Sequence, residues 1–149
     1  MEKNKVIDKL KDLLKNNENK RIVVVGTSCI GKSTILKEIS GAQDMDELIF
    51  PRLSKKEKDY VCKSPWTEEI GKTMNRLVRE KLKVKKGRPF FGTVILNYDL
   101  VIYLDISDEL LKERAKKRRS SFVDIKNMQK SILEEIKELK ISCIKIKVD

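Results

Sequence analysis

The residues best equipped for chemistry stand in one run, Gly26-Thr27-Ser28-Cys29-Ile30-Gly31-Lys32-Ser33, with Thr34 directly after it. The run fits the phosphate-binding pattern G-x-x-x-x-G-K-[ST] at every fixed position. Its glycines let the backbone curl so that successive N–H groups face inward as an anion nest. A helix that starts at Lys32 adds the partial positive charge and free amides of its N-terminus. The pattern therefore predicts that Gly26 to Thr34 wraps the phosphates of a nucleoside triphosphate, ATP or GTP. In that arrangement Lys32 reaches the β- and γ-phosphates, and the Ser33 hydroxyl sits on Mg²⁺.

Such a loop needs a strand before it and a helix behind it. Arg21-Ile22-Val23-Val24-Val25 reads as a buried parallel strand, and residues 32–40 as the departing helix, closed by Gly41. Upstream, Val6, Ile7, Leu10, Leu13 and Leu14 recur at helical spacing, which predicts an amphipathic helix over about 4–15. Downstream, Glu47-Leu48-Ile49-Phe50 is a candidate second strand stopped by Pro51. Asp59-Tyr60-Val61-Cys62 is a candidate third, with a turn at Lys63-Ser64-Pro65. Thr67 caps a long helix with Ile70, Met74, Leu77, Val78 and Leu82 as its buried stripe. Residues 90–96 form a strand or a lid-like loop, and Leu100-Val101-Ile102-Tyr103-Leu104 is a clear buried strand. Ser107 caps a basic helix, Ile125 to Leu139 defines another helix, and residues 141–148 make the closing strand. Strands separated by helical crossovers imply an α/β fold: a parallel sheet of about five strands with helices on both faces, in a single domain over 1–149.

Composition narrows the setting. At 149 residues the chain fits one domain, and its net charge of +11 suits polyanionic ligands, nucleotides and nucleic acid alike. Cys29, Cys62 and Cys143 are odd in number and widely spaced, which argues for a reducing cytosol and against a disulfide framework or zinc site. No apolar run has the length of a signal core or a membrane span, so a cytoplasmic protein without membrane contact is expected. No D-x-x-G or N-K-x-D motif of a GTPase is present. Ile39-Ser40-Gly41-Ala42-Gln43 imitates a transporter ATPase signature but sits directly behind the loop helix, and the chain is too short for a ring-forming ATPase.

What remains resembles the small phosphate-loop kinases, which include the nucleoside, nucleotide and shikimate-type kinases. The resemblance rests on the loop, on Asp99 to Ser107 as a fourth strand leading to a lid helix, and on Leu110 to Arg118 as that helix with arginines four apart. It implies a P-loop NTPase fold and transfer of a γ-phosphoryl group to a small hydroxyl or phosphate acceptor, with a nucleoside or nucleotide favoured. Arg114 and Arg118, on one helical face, would close over the triphosphate and neutralise charge on the group in transit. The family usually carries an acid at the end of its third strand. Cys62-Lys63-Ser64-Pro65 stands at the expected place, Asp59 lies at the wrong end, and Asp105 ends the fourth strand. Asp44, Asp46, Glu68 and Glu69 are the substitutes, and the catalytic base stays unassigned. The family also continues past its fifth strand into a base-holding loop. Because this sequence stops at Asp149, base recognition is expected to rest on stacking against Arg114, with ATP and GTP bound within about tenfold of each other.

The acceptor is expected between Gln43 and Trp66, with residues 90–94 facing it. Arg52 is a candidate for an acceptor phosphate. Phe50, Trp66, Phe90 and Phe91 are candidates to sandwich a base, Trp66 the best placed of them, though for each a core position is the commoner use. Two rival classes share these residues. The basic segment Lys112 to Arg119 suits a kinase or NTPase acting on RNA or DNA, and the absent acid after Val61 suits a non-catalytic nucleotide-binding regulator.

Overall fold

A computed structural model describes residues 2–63 and 65–148; Ser64, in the turn expected after Cys62, and the terminal Asp149 lie outside them. The strand Ile22–Val25 (β1) is buried along its whole length. Burying each such branched side chain favours the fold by about 1.5–3 kcal/mol, and this strand is the centre of the sheet. Its neighbours are Phe90–Gly92 (β3) on one side and Leu100–Asp105 (β4) on the other. Gln43–Asp44 (β2) and Ile144–Lys147 (β5) form the edges, giving five strands in the order β2-β3-β1-β4-β5, every pair parallel.

Side-chain alternation along the strands builds a core on each face. Ile22, Val24, Phe91, Ile102 and Leu104 pack with helices Glu2–Asn16 (α1), Lys32–Glu38 (α2) and Asp108–Lys117 (α6). Val23, Val25, Phe90, Val101 and Tyr103 pack with Met45–Ile49 (α3) and Glu68–Lys81 (α5). Phe122–Glu138 (α7) contributes Ile125 to the first core and Ile132 to the second. At the start of β1, Asp99 clamps Arg21, accepting from its backbone N (2.7 Å), Nε (3.0 Å) and Nη2 (2.9 Å). These bonds to the Arg21 guanidinium and backbone N–H hold the Asp99 carboxyl well below the usual carboxylate range.

The sheet differs from the sequence reading at its second and third strands. Residues 47–50 are not a strand: α3 covers Met45–Ile49 and a 3₁₀ turn follows over Phe50–Arg52. Asp44 caps α3 by accepting from the Asp46 N–H at 3.0 Å, with Asp46 and Glu47 in the first turn, and these local signals outweigh the apolar triplet. Residues 59–62 are not a strand either; they end helix Lys55–Val61 (α4). Its capping box joins Ser54 and Glu57 reciprocally, satisfying two backbone donors that a strand would leave open. The strands that take these places are β2 and β3. Residues 90–96 are no lid, since Phe90, Phe91, Val94, Ile95 and Leu96 are all buried. The loop helix ends at Glu38, two residues before the expected Ser40. Among the described residues, no helix is long and apolar enough to cross a membrane.

Candidate functional site

All five strands point their carboxyl ends the same way, where ligands of parallel sheets gather. Val25 runs there into the 26–31 loop, which is pinned on two sides. The Gly26 N–H donates to Gly92 O at 3.2 Å, extending the β1–β3 ladder. From α6, Arg114 donates Nη1 to Ile30 O at 2.9 Å. Gly31 stands at φ +96°, in the left-handed region where a β-carbon is strained, and turns the chain into α2. No side chain caps α2 and no acid occupies its first turn. Thr27 and Cys29 are buried, whereas Ser28 and Ser33 are exposed.

Lys32 does not project into solvent, as a phosphate-seeking lysine on an open helix would. It is half-buried and folded back, donating Nζ to Gly26 O at 2.7 Å. Burial lowers its pKa to about 8, against the opposing pull of Asp46 and then Asp44. The reciprocal effect appears at Asp46. Its carboxyl is raised above the usual range by partial desolvation and then by Asp44, while Lys32 pulls it down. Asp44 is occupied as the cap of α3, which leaves Asp46 to face the cleft beside the loop. Of the four acids weighed from sequence, Asp46 and Glu68 line that cleft; Asp44 stands behind Asp46, and Glu69 is not among the lining residues. The end of β3, Gly92-Thr93, carries no acid.

Two clefts flank the loop. One, of about 350 Å³, runs from Cys29, Gly31 and Thr34 to Arg114, Lys117 and Arg118. The arginine pair expected from sequence is thus brought to one cleft, Arg114 bonded to the loop itself and Arg118 at the exposed C-cap of α6. The other, of about 480 Å³, opens from Ser28, Asp46 and Thr93 toward Phe50, Trp66 and α7. Trp66 is seated against α5 where Gly71 permits it: a β-carbon at Gly71 would lie 2.4 Å from Trp66 Cζ2. At the back of this cleft Arg79 ties α5 to α7 by its ion pair with Glu135, and donates Nε to Ile95 O at 2.9 Å.

Phe90 and Phe91, offered as base-stacking residues, are instead core on opposite faces of the sheet. Arg52 donates to Leu48 O at 2.7 Å and does not line the cleft. Thr93 falls within the expected 90–94 segment and lines the cleft, whereas Asn75 and the α7 wall were missed, because they converge only in the folded chain. Among the described residues no group of three or more His, Cys, Asp or Glu side chains is arranged to hold a metal ion. No protein-family model matches the chain, and no curated protein matches it.

Proposed function

We propose that the chain is a phosphotransferase with a P-loop NTPase fold, moving the γ-phosphoryl group of ATP or GTP to a hydroxyl of a small acceptor, nucleosides being the first class to try. The observation that carries this reading is the position of Lys32, held on the loop carbonyl of Gly26 and sensing Asp46 on the opposite wall. A loop of this sequence between a basic cleft and a second cleft with a carboxylate suits a donor on one side and an acceptor on the other.

In the reading's chemistry, Lys32 leaves Gly26 O for the γ-phosphate, while Arg114 and Arg118 neutralise charge from the lid side. The acceptor oxygen attacks the γ-phosphorus and the bond to the β–γ bridging oxygen breaks. The nucleoside diphosphate keeps that electron pair, and the acceptor proton passes to an Asp46 carboxylate oxygen and then to solvent. The exposed Ser33 hydroxyl is a hard oxygen donor of the kind Mg²⁺ accepts, so it would help hold the ion that accompanies a triphosphate. Bound there, Mg²⁺ would supply charge neutralisation on the phosphates.

The test is a mass-spectrometric screen of transfer from ATP or GTP to pooled nucleosides, nucleotides and alcohols, run beside Lys32→Ala. A phosphorylated product that vanishes in the variant supports the reading. Tight nucleotide binding without any product would assign a regulator, and transfer only to oligonucleotide ends would assign a nucleic-acid kinase.

A further inference from the structure

The cleft that holds Asp46 and Trp66 has a chemical bias that composition alone would not give. The chain carries 34 lysines and arginines against 23 acids, yet this cleft is walled by carboxylates with few cations to offset them. Arg79 is already committed: it pairs with Glu135, whose other oxygen accepts from Asn75 at 3.3 Å, and its Nε serves Ile95 O. Lys72 stands at the exposed rim, paired with Glu68 at 3.6 Å. Against these, Asp46 faces the cleft, Glu134 meets Lys130 only at 4.0 Å, and Glu138 has no ion-pair partner among the described residues. The half-buried Trp66 ring, held on Gly71, adds a face of the kind that attracts cations.

Resting on the kinase reading above, we infer that the acceptor bound in this cleft is a hydroxyl compound without phosphate or other negative charge, with amine-bearing alcohols preferred over neutral ones. A phosphate in the cleft would lose its hydration among carboxylates and find no uncommitted guanidinium to replace it, which is how a site rejects a ligand. A volume of about 480 Å³ suits a small organic molecule. An ammonium group would instead find the Trp66 face and the carboxylates of α7. The nucleoside is thereby kept as an acceptor and the nucleotide is removed.

The chain has one tryptophan, so quenching of Trp66 fluorescence reads this cleft without catalysis. The probes are adenosine, adenosine 5′-monophosphate and 5′-amino-5′-deoxyadenosine, titrated with and without a non-hydrolysable ATP analogue. The expected order is amine at least as tight as nucleoside, with the monophosphate about tenfold or more weaker. A monophosphate that binds as well as the nucleoside overturns the inference, as does an absence of quenching by all three at millimolar concentration. Glu134→Lys combined with Glu138→Lys, both at exposed positions, is expected to narrow the monophosphate penalty about fivefold or more while leaving affinity for Mg–ATP unchanged. An unaltered penalty overturns the assignment to this wall. Calorimetry with Mg–ATP separates the two readings: no heat would sink the triphosphate reading, while the Trp66 ranking would still judge the charge of the second cleft.

Discussion

The clefts on the two sides of the 26–31 loop share a backbone yet have opposite electrostatic character. Among the described residues, the α6 side presents Arg114, Lys117 and Arg118 and no carboxylate, whereas the α7 side presents Asp46, Glu134 and Glu138 with its arginine already paired to Glu135. A positive wall gathers a polyanion and a negative wall rejects it. Between them, Lys32 is bonded to the loop carbonyl of Gly26 and coupled electrostatically to Asp46. The difference teaches that the +11 net charge of the chain describes its α6 cleft and misdescribes its α7 cleft.

Changes to the shared centre should break this division most. Lys32→Ala is expected to lower the transfer rate by about a thousandfold in single-turnover assays. Its melting temperature should stay close to the parent's, because the lost bond to Gly26 O is offset by relief of a desolvated charge. A melting loss like that of a core truncation would make Lys32 structural. Asp46→Asn tests the acidic side and should cost about a hundredfold in rate with nucleotide affinity little changed. In the parent, the rate should rise with pH through the raised pKa of Asp46, since the base must be deprotonated, and the variant should lose that limb.

Changes to one wall alone should sharpen the comparison. Arg118→Ala is expected to reduce kcat by about thirtyfold and nucleotide affinity by much less, because its contact strengthens as charge develops. Gly71→Ala should unseat Trp66 and raise the acceptor KM about tenfold without altering the dissociation constant of Mg–ATP. The smallest effect concerns pH. Lys32 has a pKa of about 8 in the free protein, and bound phosphate raises it, so binding takes up a proton above that value. Triphosphate affinity should be flat below pH 8 and fall above it, by about fourfold from pH 7 to 8.5. Lys32→Arg, which keeps its charge, should flatten that profile in a calorimetric series.

The loop and the elements attached to it were legible in the sequence because their signals are local. A glycine pattern, an apolar run and the caps at Thr67 and Ser107 each speak for their own segment. The edge of the sheet was not legible for the same reason. Gln43–Asp44 is too short to show alternation, and residues 90–96 read as a strand or a lid-like loop, a choice that only pairing with β1 from far along the chain decides for Phe90–Gly92. Meanwhile Asp59-Tyr60-Val61-Cys62 has strand-like composition, yet the Ser54–Glu57 capping box just upstream was a readable helix start. The candidate donor-side residues Lys32, Arg114 and Arg118 could be named because a motif and a four-residue interval single them out. Asp46 could only be one acid among four, since its claim depends on where β2 ends beside the loop.

The Arg79–Glu135 tie bears on how such a molecule would work. It fastens α5 to α7 along the acidic cleft, and Arg79 also ties the pair to the Ile95 carbonyl. The facing helix α3 is fixed as well, since Met45 and Ile49 are buried in the core. On the proposed reading, the Asp46 carboxylate would therefore stand in place before an acceptor arrives.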